Sequence, residues 1–529
     1  MENFEPIDCQ LWESIMMKTK KKYSSIDDLP AKLINPVLNV ISENLMNITN
    51  KSLQCGTFPD ILKRSHITPI IKNSKEDKNI LSNYRPISNT SIVSKLMEKC
   101  VLHQLQKHLE DNHLYFDNQS AYRSHHSCET ALLKIQQDVL SMMNPGSQVL
   151  MLFLDFSAAF DTVDSTILLK KLEDQFGITG IVLEWFRSFL IQRKYQVRID
   201  ERLSDEKEVH YGVPQGSVLG PILFSLYTQE IQQITKYHGF KIHMYADDIQ
   251  IYTECNNPNL EIPLIKNCFH DIQIWAKDNF LKLNPKKSKL LVLSNSSPNS
   301  SFSIEIMHQE FMLEDSVKNL GFTIDNQLKH LRQINKVCKN GFYMLRNLYK
   351  ISSKLSNISL KIQIVQSCIL SQIDYCNSLY VNLPQKQIKK LQKLQNASIR
   401  FVYNLNIYKR HSITKFLKLS HILPVKARIE FKICLIVFKC LHNIAPNYLK
   451  ELIKIKYSLP SLRINHDKYL LKHPSLEIQN YKNRKFSNIA PILWNKLPKF
   501  VRESNSVDIF KGRLKTYLFN IYLNDDLLQ

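Results

Sequence analysis

Residues Ile242–Tyr252 read IHMYADDIQIY: apolar and aromatic residues run in, two aspartates stand together, and apolar residues run out. On a strand, neighbouring side chains point to opposite faces, so Asp247 and Asp248 cannot share one. A tight turn joining two strands removes the conflict by gathering both carboxylates at a hairpin tip. Aspartate is also common in turns for local hydrogen-bonding reasons alone. The pair needs a third group before it means chemistry.

Asp155 supplies that group. It ends VLMLFLD, residues 149–155, where six apolar residues precede one acid and no Lys or Arg stands within the run. A buried charge without a partner is costly, so this aspartate needs a cation or must protonate. Three carboxylates at the ends of apolar strands suit a pair of divalent cations, since hard ions take oxygen ligands and keep several waters. Two such ions support in-line phosphoryl or nucleotidyl displacement.

Glycine adds a further element. The chain has 11 glycines in 529 residues, yet Gly212, Gly216 and Gly220 fall within nine residues in YGVPQGSVLGPILF, residues 211–224. That density lets a backbone take positive φ or approach a ligand closely. An ordinary turn before a helix PILFSLYTQEIQQI is the plainer reading. Beside three aspartates, contact with a template or nucleotide is the better one.

Composition points to a polyanionic partner. The chain carries 70 Lys+Arg against 48 Asp+Glu, a formal +22, and 44% of its residues are hydrophobic. From Leu331 to Pro460 there are 23 Lys and Arg and 3 acidic residues, so nearly all of the excess lies there. A localised basic excess fits nucleic acid before a membrane surface. The 11 cysteines form no CxxC pair, which supports neither a disulfide framework nor a zinc ribbon. CLIVFKCLH, residues 434–442, reads as buried helix rather than metal ligands. MENFEPIDCQ lacks the pattern of a signal peptide, and the longest apolar runs are too short to span a bilayer. These features predict an intracellular protein, with no membrane partner.

Length predicts two to four subdomains. The segment to about residue 66 reads as helices, SHITPIIKN (65–73) as a strand, and SIVSKLMEKCVLHQLQKHLED (91–111) as an amphipathic helix. QVLMLFLDFSAAFDTVD (148–164) starts as a strand and is expected to turn helical after Asp155. The mixture to about residue 294 is α+β. SNSSPNSS (294–301) is a low-complexity loop, and helices dominate beyond residue 328.

FLDFSAAFD, YGVPQGSVLGPILF and YADD stand in the order and spacing of a reverse transcriptase palm. The surrounding text resembles non-LTR (LINE-type, jockey-like) retrotransposons. NYRPISNTSIVSKLMEK (83–99) is similar to their fingers motif, and NQSAYRSHHSCETALLKI (118–135) to the next. WAKDNFLKLNPKKSKLLVL, VKNLGFTID, IDYCNSLY, LHNIAPNYL and FSNIAPILWNKLP continue the likeness, which runs from about residue 27 to 519. The chain departs from the pattern at Ala121–Arg123, AYR for Gly-Phe-Arg, and at Cys128, where threonine is common.

The resemblance implies a right-hand α+β polymerase. It would comprise a helical N-terminal extension (1–66), fingers (67–150), palm (151–327), helical thumb (328–420) and a helical, basic, RNA-binding C-terminal region (421–529). The implied activity is RNA-directed DNA polymerase, extending a DNA primer on an RNA template with dNTPs and two Mg²⁺ ions, Mn²⁺ being a substitute. Asp155 and Asp247 would bind the ions, with Asp248 and the Phe156 carbonyl beside them. Phe160 matches a gate that excludes a 2′-hydroxyl, and Gln215 and Gly216 would line the templating pair. Lys72 and Arg85 would hold the triphosphate.

By the same resemblance either Lys287 or Lys289 would stand near the leaving pyrophosphate. Arg123, Lys289 and the lysines 386, 389, 390 and 393, which lie off the apolar stripe Ile388, Leu391 and Leu394, would contact nucleic acid. No nuclease motif is visible, so a separate endonuclease is expected, as is a cytoplasmic ribonucleoprotein or nuclear location. The rival reading is a catalytically inactive nucleic-acid-binding remnant of a mobile element. A group II intron-type maturase is disfavoured by the C-terminal motifs.

Overall fold

The computed structural model describes every residue except 20–23, 28–30, 145–146, 158, 285, 295–303, 307–308, 312, 407–408, 410, 457–468, 474–481 and 524–529. Most of the low-complexity loop expected at 294–301 lies outside the described residues. The strands used below are, in chain order, β1 (Arg64–Ile71), β2 (Tyr84–Asn89), β3 (Gln148–Leu154), β4 (Arg193–Ile199), β5 (Lys207–Val209), β6 (Lys241–Tyr245), β7 (Asp248–Cys255) and β8 (Lys289–Leu293). The helices are α1 (Ile92–Asp111), α2 (Cys128–Met142), α3 (Ser165–Asp174), α4 (Gly220–Tyr227), α5 (Leu331–Lys350), α6 (Gln385–Val402) and α7 (Val425–Leu441).

The chain divides into two compact units, each built from three segments. The first comprises residues 1–122, 155–238 and 265–285, the second 123–154, 239–264 and 286–529. In the first, the helices Cys9–Lys18, Ala31–Val40 and Ser42–Cys55 precede a mixed sheet, as the apolar spacing predicts. Its order is β2-β1-β4, with β1 antiparallel to β2 and parallel to β4, and β5 pairs with β4. Ser91 caps α1 by accepting from the Ser94 N–H, and Leu96, Met97, Cys100, Val101 and Leu105 form the buried stripe of that helix.

Two helical expectations are corrected here. The chain does not turn helical after Asp155. Phe156–Ser157 form a short strand pairing with Lys282–Leu283, and α3 starts only at Ser165. The start is set by Asp164, whose carboxylate accepts from the N–H groups of Thr166 and Ile167. PILFSLYTQEIQQI is also not one helix: α4 ends at Tyr227 and a separate helix runs Ile231–Tyr237. Thr228 stands at the break, its hydroxyl donating to the carbonyls of Phe224 and Ser225.

In the second unit an antiparallel sheet runs β8-β3-β7-β6. Residues 149–154 of β3 are all buried, which is why that strand is one apolar run instead of an alternating one. α2 begins at a capping box between Ser127 and Thr130 and brings Leu132, Ile135 and Val139 to the core of Met151, Phe153, Leu291 and Leu293. Asp138 on α2 is satisfied inside it: Lys134 Nζ lies 2.6 Å from Oδ1, and the Tyr252 hydroxyl donates to Oδ2 at 2.8 Å.

α5 and α6 pack so closely that a Cβ on Gly341 would lie 2.4 Å from Leu394 Cδ2. Leu391 and Leu394 are fully buried while Lys386, Lys389 and Lys393 are exposed, so the apolar stripe of α6 is core. Cys434 and Cys440 are buried within α7, and His442 stacks on Phe438 at 3.9 Å between ring centroids. They are packing residues, as the sequence predicts.

Tyr448 stands between two histidines, with ring centroids 5.6 Å from His126 and 5.4 Å from His243. Burial, then the nearby Lys134 charge, pushes the pKa of His243 down to about 3, and burial pushes that of His126 to about 4. An unfolded histidine titrates near ~6.5. The unfolded chain therefore binds more protons below that pH, so this stability is present above pH ~6.5 and is lost as pH falls toward the folded values. His243 alone contributes a slope of up to ~1.4 kcal/mol per pH unit in that window. Thermal unfolding at pH 7 and pH 5 should show a loss at the acid value that His243→Gln diminishes; equal losses in the two proteins would refute the assignment.

Candidate active site

In the second unit, β6 and β7 form a tight hairpin whose closing pair is Tyr245 and Asp248. Ala246 and Asp247 are its two loop residues, and Ala246 takes φ +57, the sign of two-residue hairpin turns that match strand twist. Ala246 is buried, Asp247 half-buried and Asp248 exposed. The two aspartates thus meet at the tip, as their adjacency predicts. The neighbouring strand β3 is antiparallel to β7, and its last residue, Leu154, pairs with Ile249.

Asp155 follows Leu154 directly and is half-buried; its backbone carbonyl accepts from the Asn284 N–H at 2.8 Å. Phe156 is buried and pairs with Leu283. Among the described residues, no three His, Cys, Asp or Glu side chains form a ready cation cage. Every candidate donor is a hard oxygen.

The glycine loop belongs to the first unit. Gly212 has φ +93 and Gly216 has φ +127; a Cβ on the first would stand 2.9 Å from Asp161 Cα, and on the second 2.4 Å from the Ser88 carbonyl oxygen. Both glycines are there for close backbone approach, to the chain's own residues 161 and 88. Hydrogen bonds fix the loop: Gly212 N–H to Val163 O at 2.7 Å, Val213 N–H to Phe160 O at 2.8 Å, and Ser88 N–H to Gln215 O at 2.7 Å. Gly220 differs, since it opens α4, where its N–H donates to Ser217 Oγ at 2.9 Å.

The loop forms one wall of a cleft of about 790 Å³. Tyr84 and Pro86 of β2, Tyr195 and Val197 of β4, and Asp161 and Arg193 also line it. Phe160 is half-buried, its ring 4.7 Å from that of Phe224. Lys72 is exposed, its Nζ donates to the Ser82 carbonyl at 2.7 Å, and its charge acts on Asp161. Arg85 is exposed on β2, opposite Ile70. The structure thus brings Gln215 and the charge of Lys72 to Asp161, next in sequence to Phe160, while Gly216 lies against Ser88.

Other expected residues lie elsewhere. Arg123 is half-buried ahead of α2, and Lys287 sits in the turn before β8. Lys289, the first residue of β8, pairs with Glu314, Nζ to Oε1 at 3.1 Å. Lys386, Lys389 and Lys393 are exposed on α6, while Lys390 Nζ donates to Asn335 Oδ1 at 2.9 Å.

Three residues were missed by sequence reasoning. Asp161, six positions after Asp155, receives both Gln215 Nε2 hydrogen bonds, at 2.8 and 2.9 Å. Glu98 is completely buried on α1, where its carboxylate accepts from Ser94 Oγ at 2.8 Å and from the N–H groups of Val218 and Leu219 at 2.7 and 3.1 Å. Arg193 is 1% exposed, donates from Nη1 to the Phe189 carbonyl, and stacks its guanidinium 5.0 Å from the Phe189 ring. Burial pushes the Glu98 carboxyl up, against the pull of the Arg193 charge and the three hydrogen bonds. An acid on the apolar stripe of α1 was the available signal.

Residues 71–324 match the family model described as reverse transcriptase (RNA-dependent DNA polymerase). A Drosophila melanogaster protein named probable RNA-directed DNA polymerase from transposon BS is 26% identical over 415 residues, covering 76% of this chain and 45% of its own length. The RNA-directed DNA polymerase from mobile element jockey of the same fly is 26% identical over 403 residues, covering 74% and 43%. The chain spans less than half the length of these relatives. Among solved structures, a Candida albicans telomerase in complex with a fragment of telomeric RNA is 13% identical, with a TM-score of 0.38 over 74% of this chain and 69% of that one.

Proposed function

From the premise that residues 71–324 are a reverse transcriptase domain of the non-LTR retrotransposon kind, we propose that the chain is an RNA-directed DNA polymerase. It extends the 3′-hydroxyl of a DNA primer on an RNA template. The observation that carries this reading is the strand register: Leu154 pairs with Ile249, so Asp155 and the Asp247–Asp248 tip each follow from the same end of one sheet.

Polymerases of this family are generally divalent-metal dependent. Asp155 and Asp247 would hold the ions, with Asp248 and the Phe156 carbonyl beside them. Bound there, two Mg²⁺ ions supply activation of the primer hydroxyl and stabilisation of developing charge on the phosphoryl oxygens. Lys72 and Arg85 attract the triphosphate of the incoming nucleotide, Arg85 with a fork suited to two oxygens. Gln215 and Gly216 face the new base pair, and Phe160 restricts space beside the sugar.

The exposed Lys386, Lys389 and Lys393 track the backbone of an RNA–DNA hybrid, a contact that tolerates any sequence. No described helix is long and apolar enough to cross a membrane. The test is extension of a labelled DNA primer annealed to a heteropolymeric RNA, with dNTPs and Mg²⁺. The reading predicts full-length complementary DNA that vanishes on adding EDTA and returns with excess Mg²⁺. A purified, folded chain that adds no nucleotide would overturn it.

A further inference from the structure

Building on the polymerase reading, we propose that Asp161 is a positioning residue for nucleotide addition: it holds the Gln215 amide nitrogen, so that the side chain presents its carbonyl oxygen to the substrate as a hydrogen-bond acceptor. An ionised carboxylate can only accept. Both Asp161 oxygens are reached by Gln215 Nε2, at 2.8 and 2.9 Å, so the amide nitrogen must face Asp161. The carbonyl oxygen of Gln215 is left facing away from it. Both residues line the same cleft.

The backbone repeats the arrangement. Val213 and Gly212 donate to the carbonyls of Phe160 and Val163, on either side of Asp161. A Cβ on Gly212 would stand 2.9 Å from the Asp161 Cα and carbonyl oxygen, so side chain and main chain are held by one short segment. Burial pushes the Asp161 carboxyl up, while the Gln215 hydrogen bonds and the Lys72 charge draw it back. A neutral group at 161 would let the amide bond either way round. Asn, with one acceptor and one donor of its own, does this at nearly unchanged volume.

The experiment is steady-state single-nucleotide incorporation by wild type, Asp161→Asn, Asp161→Ala, Gln215→Ala and the double Asp161→Ala/Gln215→Ala chain, with thermal unfolding of each. Loss of a charge-assisted bond that orients the amide should raise KM for the dNTP by about 10-fold or more, with kcat changed by less than about 3-fold. Because Asp161 acts through Gln215, the double variant should be no worse than Gln215→Ala. Losses that multiply in the double variant would overturn the proposal, as would an Asp161→Asn chain with wild-type KM. A fall in kcat at constant KM, with a lowered melting temperature, would mark a merely structural role and also overturn it. If Asp161→Ala does not fold, the near-isosteric Asn variant decides alone. Wild type extending normally beside unchanged Asp161 variants sinks only this inference; a wild type that extends nothing sinks the polymerase reading and this inference together.

Discussion

Asp247→Asn should leave the fold intact and lower RNA-templated extension by at least about 1,000-fold. Asp247 is a half-buried loop residue in a two-residue hairpin, and the β6–β7 pairing does not use its carboxylate. Asparagine is equally at home in turns, so the hairpin should persist. What changes is charge. An amide is a poor ligand for a hard divalent ion, and the ions are asked for several kcal/mol of transition-state stabilisation, about 1.4 kcal/mol for each tenfold in rate. Asp248→Asn should cost less, because Asp248 is exposed. Primer extension read beside a melting curve separates the effects: wild-type unfolding with activity near zero supports the assignment, and activity within about tenfold of wild type refutes it.

Glu98→Ala should be the most damaging single change to stability in the first unit, at about 3–5 kcal/mol. Its carboxylate is completely buried and collects three donors, two of them the N–H groups of Val218 and Leu219 just ahead of α4. Removing it orphans those donors and leaves the buried Arg193 charge without its nearest compensation. Because the same two amides anchor the far end of the glycine loop, activity should fall with stability. Glu98→Gln keeps one acceptor oxygen and should lose less. Denaturant midpoints for the three proteins test the order, and a Glu98→Ala chain within about 0.5 kcal/mol of wild type would show that the buried acid holds nothing in place.

The features readable in the sequence are those whose cause is local. Two carboxylates between apolar alternations forced a turn, and β6–β7 is that turn. The glycine cluster announced close approach, and Gly212 and Gly216 have it, against residues 161 and 88 of the same chain. The uninterrupted apolar run of β3 read as a strand, and it is one, buried from residue 149 to residue 154. What could not be read depends on distant partners. Phe156–Ser157 is a strand only because Lys282–Leu283 lies beside it, more than a hundred residues later. Asp161 was passed over because its partner Gln215 comes 54 positions on. Glu98 was passed over because its partners Val218 and Leu219 come 120 and 121 positions on.

The interleaving of the two units constrains how the polypeptide can be made. Synthesis completes the first unit only once residue 285 has emerged, and by then β3, β6 and β7 already exist as three apolar strands. Their fourth member, β8, and the helices beginning at Leu331 that help to form their core are still to come. At ~5–20 residues per second the nascent chain carries this half-covered sheet for seconds, a state prone to aggregation. Dissecting the protein by truncation near residue 285 would capture that state, so fragments should be designed by excising loops and not by cutting once.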